Sequence, residues 1–262
     1  MQEITDNVMA GGRINGEEFL RLAAEADLYQ LGFMANAVRK RLHPEPKVTY
    51  VIDRNINYTD ICVSACKFCA FFKTPEDPQG NLLTKEELLQ KIEETQALGG
   101  TQILLQGGLH PGLPFAFYED MLRLIKATGI HIHGFSPPEI CHFSQLSELP
   151  IKEVLKRLMA ADLDSIPGGG AEILSDRVRQ LLAPRKCSAD EWLAVMETAH
   201  ELGMRTTATM MFGHVETMEE RLEHLQRLRD LQDSTKGFTA FIPWPFQPDN
   251  TALAETSHNS LN

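Results

Sequence analysis

The sequence predicts an α/β fold, a partial (β/α)6 TIM-like barrel with a short helical preface, and three observations predict it. Segments with strand-like and helical periodicity alternate along the chain, which implies right-handed βαβ units and a parallel sheet. The helical segments mark their own starts with a hydroxyl residue followed at the third position by glutamate. Several strand candidates carry polar residues on one parity only, as an open lumen needs; a sheet covered on both faces would be apolar on both. The length of 262 residues suits one barrel, which needs roughly 250.

Residues 15–43 read as the preface. Phe19, Leu22, Ala23 and Ala26 form one apolar stripe, Leu31, Met34, Ala35, Val38 and Leu42 the next, and Pro44 and Pro46 end it. The β-branched run 48–53 is the expected first strand, leading through Asn55-Ile-Asn-Tyr-Thr to a group of cysteines. Helices are expected after Thr84, Ser188 and Thr217, whose boxes close with Glu87, Glu191 and Glu220, and over 115–128 and 151–161. The remaining strands fall at 101–106, 130–135, 163–166, 204–212 and 237–242. Their parity is legible: Ile103 and Leu105 alternate with Gln102 and Gln106, the isoleucines 130 and 132 with His131 and His133, and Ala208 and Met210 with Thr207 and Thr209. This divides the chain into a helical extension (1–46), the barrel (47–250) and an irregular tail (251–262), with no helix expected after the sixth strand.

A net charge of −11 argues against a nucleic-acid surface, because phosphate neutralisation needs clustered Lys and Arg. A small-molecule substrate is the better expectation. No apolar run approaches the ~20 residues of a membrane span, and the first residues lack the basic and apolar regions of a signal peptide, so a soluble cytoplasmic protein is expected. Five cysteines, three of them in one turn, do not suit a disulfide framework; Cys141 and Cys187 read as free thiols.

The chemistry collects where each strand ends, the rim at which parallel barrels place their sites. Cys62-Val-Ser-Ala-Cys66-Lys-Phe68-Cys69 puts three thiols in eight residues after the first strand. No fourth cysteine stands beside them, as a closed zinc site would need, whereas an iron–sulfur cube on three thiolates keeps one iron open. The other rim segments are Gln106-Gly107-Gly108-Leu-His110-Pro, Gly134-Phe-Ser136-Pro-Pro-Glu139, Pro167-Gly-Gly-Gly-Ala-Glu172 and Gly213-His214-Val-Glu216. Paired glycines either expose backbone to a ligand or simply make a turn.

The C-x3-C-x2-C spacing, with Phe68 before the last cysteine and a strand before the first, resembles the radical S-adenosylmethionine (SAM) enzymes. That resemblance implies a [4Fe–4S] cluster on Cys62, Cys66 and Cys69, whose open iron chelates S-adenosyl-L-methionine, and a one-electron donor of flavodoxin or ferredoxin type. It implies cofactor contacts from Phe68, Gln106, Gly107, Gly108, Ser136, Glu172 and Arg179, the last expected on one helix face with Glu172. The motifs Asn55-Ile-Asn-Tyr-Thr, Met210-Met-Phe-Gly-His-Val-Glu-Thr and Phe241-Ile-Pro-Trp-Pro-Phe-Gln-Pro narrow it further. They are similar to the cyclic dehypoxanthine futalosine synthases of the futalosine route to menaquinone, over residues 13–253.

The resemblance implies a nucleoside-like substrate, hydrogen abstraction from its ribose and closure onto the attached benzoate ring. Such a reaction needs a proton acceptor. His110, His133, His214 and Glu216 are the candidates, each equally readable as a hydrogen-bonded structural residue. Aminofutalosine synthases and deazaflavin synthases share several of the motifs and stand as alternatives. Members of the family continue about a hundred residues past the Pro-Trp-Pro segment, so a truncated, cluster-binding but inactive chain is a further expectation. The oligomeric state is not legible.

Overall fold

Parallel pairing in simple sequence order gives the sheet its shape. The computed structural model describes residues 1–254. Its strands are β1 (Asp53–Asn57), β2 (Gln102–Gln106), β3 (His131–Gly134), β4 (Ser165–Ile166), β5 (Arg205–Phe212) and β6 (Phe238–Pro245). They lie side by side in that order, each neighbouring pair parallel. Asn57 stands opposite Gln106, Leu105 opposite Gly134, His133 opposite Ser165, Ile166 opposite Thr206 and Phe212 opposite Pro245. Among the described residues no ladder joins β6 to β1, so the barrel is a half-barrel, open on one side.

Helices α1 (Gln2–Met9), α2 (Gly16–Glu25) and α3 (Leu28–Leu42) make the preface. The barrel helices are α4 (Lys85–Ala97), α5 (Phe115–Lys126), α6 (Pro137–Ser147), α7 (Ile151–Ala160), α8 (Asp176–Leu182), α9 (Ala189–Glu201) and α10 (Met218–Thr235). All three expected capping boxes form, at Thr84 with Glu87, Ser188 with Glu191 and Thr217 with Glu220. Each satisfies orphan amides that would otherwise cost about 1 kcal/mol. The parity reading is also borne out. Ile103, Leu105, Ile132 and Ile166 are buried against the helices with Leu122, Leu158 and Val195, while Gln102, Gln106, His133, Thr207 and Thr209 lie half-buried on the concave face.

Four expectations are corrected. The run 48–52 is exposed and outside the sheet, and β1 begins only at Asp53. Its β-branched residues have strand propensity, but a strand exists only where a partner supplies the ladder, and β2 reaches no further than Asp53. The preface breaks at Ala26, where Asp27 caps α3, and α1 precedes it. Of its stripes, Leu22 and Met34 are buried with Ile4 and Val8, while Leu31 and Leu42 face out. Two barrel helices are additional to those expected: α6 opens with a fourth box, Ser136 with Glu139, and α8 is a short turn after β4. Strand β6 runs on through Pro243 and Pro245, which an edge strand tolerates because its outer side needs no ladder bond. Residues 255–262, and with them the expected absence of a last helix, lie outside the described residues.

Candidate functional site

The cysteine loop leaves β1 and is tied down from three directions. Cys62 N–H donates to the Lys73 carbonyl and Val63 N–H to the Leu109 carbonyl, at 2.9 and 3.1 Å. Lys67 N–H reaches the last residue of α8, Leu182, at 2.8 Å, and Leu253 N–H closes onto the Lys67 carbonyl at 3.0 Å. Cys66 is buried, and with Phe68 and Cys69 it packs on Val178, Leu182, Met210 and Phe246. The sulfurs are well placed for thiolate: Cys62 Sγ accepts N–H from Leu109 at 3.3 Å and from Ser64 at 3.4 Å, and Ser64 Oγ lies 3.2 Å from Cys66 Sγ. Burial pushes the Cys66 thiol up, and the Lys186 charge pulls it back.

The glycine rim packs against this loop. A Cβ on Gly108 would stand 2.2 Å from the Ile61 carbonyl oxygen and 2.9 Å from Cys62 Cβ, and one on Gly107 would stand 2.4 Å from the Tyr58 ring. Both amides are spent inside the protein, Gly108 N–H on the Thr59 carbonyl and Gly107 N–H on Glu139. These glycines therefore serve close packing, and what they can offer a ligand is carbonyl oxygen. Gly108→Ala is expected to displace the loop at Ile61–Cys62. Iron and sulfide retained after reconstitution should drop while far-ultraviolet circular dichroism stays unchanged; full cluster content in the variant would contradict this.

Glu139, which the sequence places on the rim without giving it a role, is the hub beneath it. It is 2% exposed and its carboxylate takes four donors. Tyr58 Oη (2.8 Å) and Gly107 N–H (3.0 Å) reach Oε1, and the Ser136 N–H and Oγ–H (both 2.7 Å) reach Oε2. The ends of β1, β2 and β3 thus meet on one carboxylate. Burial pushes its pKa up to about 7 against the pull of those donors. The Ser136 hydroxyl, expected to contact a cofactor, spends its hydrogen here. Ser-x-x-Glu is a readable signal, masked in the sequence by the loop character of Pro137 and Pro138; at N1 and N2 prolines are compatible with a helix.

Beyond β4, Glu172 sits at φ +41° before α8, not within it, yet the expected pairing forms: Arg179 Nη1 lies 3.8 Å from Glu172 Oε2. Lys186, which no sequence signal marked, is nearer, with Nζ 3.1 Å from Oε1 and 5.0 Å from the centre of the Phe68 ring. Burial opposes its charge, but Cys66 and Glu172 hold its pKa above the usual lysine value. Arg179 also grips the Gly170 and Ala171 carbonyls at 3.0 and 2.9 Å and the Cys187 carbonyl. Phe68, Glu172, Arg179 and Lys186 pack together between the cysteine loop and α8, around a gap too small to admit a water molecule. Gln106 faces the lumen, its amide against Gly169, where a Cβ would stand 2.4 Å from Nε2. Cys141 and Cys187 are free thiols and interact with each other.

The four candidate acceptors separate sharply. Glu216 has a fully buried side chain that accepts Gly213 N–H (2.6 Å), His214 N–H (2.9 Å) and Arg221 Nε–H (2.7 Å); although burial disfavours its charge, the His214 ring 3.0 Å away and the Gly213 and His214 amides hold it well below the usual carboxylate range. His214 is equally engaged, with Nε2 2.9 Å from the Met211 carbonyl. Both brace the turn after β5. His110 accepts Gly112 N–H at Nδ1, 3.0 Å, bracing its own turn. His133 alone stands on the concave face, and burial, helped by His131, lowers its pKa to about 4, which leaves a neutral imidazole at pH 7.

An open parallel barrel with three thiols on its first loop and a carboxylate-and-cation cluster beside them defines a class, and comparison with known proteins agrees. The model of the radical SAM superfamily matches residues 56–228, and the chain belongs to that superfamily. It is a radical SAM enzyme of the futalosine-synthase type. It is 46% identical to a cyclic dehypoxanthine futalosine synthase of Streptomyces coelicolor, over 100% of this chain and 67% of that protein. Identity is 44% to an aminodeoxyfutalosine synthase of Thermus thermophilus, over 96% of this chain and 68% of that protein. It is 41% to a 5-amino-6-(D-ribitylamino)uracil–L-tyrosine 4-hydroxyphenyl transferase of Methanopyrus kandleri, covering 97% and 69%. The chain thus spans about two thirds of the length of these relatives. Among solved structures HydG, a maturase of the [FeFe]-hydrogenase, superposes with a TM-score of 0.74 at 18% identity, over 94% of this chain and 54% of that one, a likeness of fold.

The family uses a [4Fe–4S] cluster and S-adenosylmethionine, and the residues present fit them. Cys62 and Cys66 have N–H or O–H donors on sulfur, a setting that suits cluster thiolates. Among the described residues no three Cys, His, Asp or Glu side chains stand close enough for a single metal ion. No helix of the described residues is long and apolar enough to cross a membrane.

Proposed function

We propose that this chain closes a ring on dehypoxanthine futalosine, giving cyclic dehypoxanthine futalosine for menaquinone biosynthesis. The observation that carries the reading is identity of 46% along the whole chain with an enzyme of that name. Cys62, Cys66 and Cys69 would hold the cluster, which with S-adenosylmethionine would supply the radical chemistry that removes hydrogen from C4′ of the substrate ribose. The chain's own residues position and deprotonate. Lys186 and Arg179 pair with Glu172 beside the cysteine loop, where it anchors polar groups of the cofactor. Gln106 and His133 line the lumen in which the ribosyl carbon meets the benzoate ring. The ring adduct regains aromaticity by losing one proton, taken by His133 Nε2, and one electron, passed to a one-electron acceptor of the iron–sulfur or flavin class. A flavodoxin- or ferredoxin-type protein serves as the one-electron donor.

The test is anaerobic reconstitution with iron and sulfide, then reduction with S-adenosylmethionine and dehypoxanthine futalosine. A product two hydrogens lighter than the substrate, with 5′-deoxyadenosine, is expected; 5′-deoxyadenosine without that product would overturn the reading. The 44% identity to the Thermus thermophilus enzyme favours aminodeoxyfutalosine synthesis as the second reading, and an amino product in the same assay, run with that enzyme's substrate, would select it.

A further inference from the structure

A continuous polar chain crosses the floor of the half-barrel through β3, β4 and β5. Thr207 Oγ1 lies 3.4 Å from His133 Nε2, His133 Nδ1 lies 2.7 Å from Ser165 Oγ, and Ser165 Oγ lies 2.9 Å from His131 Nε2. His131 Nδ1 then lies 3.8 Å from Asp164 Oδ2. The chain exists because His131 and His133 share one parity of β3, and β4 pairs with it in a register that sets Ser165 opposite His133. Its two ends differ. Half-buried His133 faces the lumen, while the side chain of His131 is 44% exposed, at the end of the strands opposite the cysteine rim.

Hydrogen-bond bookkeeping gives the chain a direction. Asp164 accepts Ile132 N–H at 2.8 Å and Lys126 Nζ–H at 2.7 and 2.8 Å, and a carboxylate paired with a lysine only accepts. The His131–Asp164 contact, at 3.8 Å, is too long for a hydrogen bond, but the Asp164 carboxylate facing Nδ1 favours the proton on that nitrogen, which leaves Nε2 to accept the Ser165 hydroxyl. The Ser165 oxygen in turn accepts His133 Nδ1–H. At the far end Thr207 Oγ1 already accepts Gly168 N–H at 3.0 Å, so its own hydrogen is free to donate to His133 Nε2. His133 Nε2, engaged only by the long 3.4 Å contact to Thr207, is the basic nitrogen at the lumen end of the chain.

We propose that Ser165, His131 and Asp164 form a proton exit, carrying outward the equivalent of the proton that His133 receives in the lumen. As Nε2 of His133 gains a proton, its Nδ1 proton passes to Ser165 and the Ser165 proton to His131 Nε2. His131 then releases its Nδ1 proton to Asp164 or water. One proton enters, one leaves and no electron moves; imidazole rotation restores the starting polarity. Ser165 and His131 are positioning and relay residues that touch no reactant. The inference rests on the proposed reading only in requiring a proton to be shed in the lumen.

Two measurements test it. In the holoenzyme, 15N-resolved histidine spectra at neutral pH should show the Nδ1–H tautomer for both His131 and His133. Ser165→Ala should release His133 from that tautomer, and Ser165→Thr should restore it. An Nε2–H tautomer for His133 in the unaltered protein would overturn the relay whether or not the enzyme makes the proposed product. In turnover, Ser165→Ala should raise 5′-deoxyadenosine formed per product by roughly 10-fold, below the ~10²–10⁴ of losing a proton-transfer group outright. Ser165→Thr should recover the original ratio. An unchanged ratio and solvent isotope effect in Ser165→Ala, with product still formed, would overturn it; absence of product from the unaltered enzyme would fault the reading of the reaction, leaving the tautomers to decide the relay.

Discussion

Cys66→Ala is expected to leave the barrel folded and the chain unable to retain a four-iron cluster. The side chain is small, so losing its sulfur from the cluster of Val178, Leu182 and Met210 costs about 1 kcal/mol, a modest share of a typical ~5–15 kcal/mol stability. The loop's backbone ties, from Lys67 to Leu182 and from Leu253 to Lys67, do not pass through the thiol. Cluster binding suffers far more, because one iron corner loses its only protein ligand while the Lys186 charge beside it loses its thiolate. The expected result is iron and sulfide near background, no 5′-deoxyadenosine, and a thermal midpoint within a few degrees of the parent apoprotein. Normal cluster absorbance in Cys66→Ala would sink the assignment. Cys141→Ala is the control, since that thiol meets Cys187.

Glu139→Ala should produce the largest loss of stability of any single change near the rim. It strips the acceptor from Tyr58 Oη, Gly107 N–H and the N–H and hydroxyl of Ser136, in a site 2% exposed. Each buried donor left unpaired costs ~1–3 kcal/mol, and a loss of about 3–5 kcal/mol overall is expected from denaturant midpoints. A change below about 1 kcal/mol would show that these donors find other partners. Glu139→Gln isolates the charge. Because burial raises the folded pKa to about 7, protonation favours the folded state, and Glu139's contribution is full below its unfolded value near 4.5 and is lost as pH rises toward 7. Its span is at most about 3 kcal/mol. His133, His200 and His224 act oppositely: burial lowers their pKa values to about 4, 4 and 3, so their contribution is lost as pH falls below about 6.5. Three such groups outweigh one, so the protein should lose stability in acid. The stability difference between the parent and Glu139→Gln should nevertheless be larger at pH 5 than at pH 7.5, and a flat difference would count against the raised pKa.

The parts of the fold legible in the sequence were those written in short-range pattern. Thr84 with Glu87, Ser188 with Glu191 and Thr217 with Glu220 are contacts three residues apart, so their helices could be placed from spacing alone. The alternation of Ile103 and Leu105 with Gln102 and Gln106 settled which face met the helices, because side chains alternate across a strand whatever its partners. The spacing of the three thiols likewise pointed to the superfamily whose model matches the chain.

Roles that depend on distant partners were not legible. The run 48–52 has the composition of a strand and lacks a ladder, since β2 pairs only from Gln102 with Asp53 onward. Glu216 and His214 read as free rim groups, but Arg221 and the Met211 carbonyl consume them. Thus the sequence alone determined the half-barrel, its helix starts, its polar concave face and the position of the three-cysteine loop, all encoded within a few neighbouring residues. Only the tertiary structure decided that Glu139 is the hub of the rim, Lys186 the cation beside Glu172, and His133 the histidine facing the lumen. The reason is physical: a buried side chain's function is set by the donors and acceptors it meets. Those of Glu139 come from Gly107, 32 residues away, and Tyr58, 81 residues away.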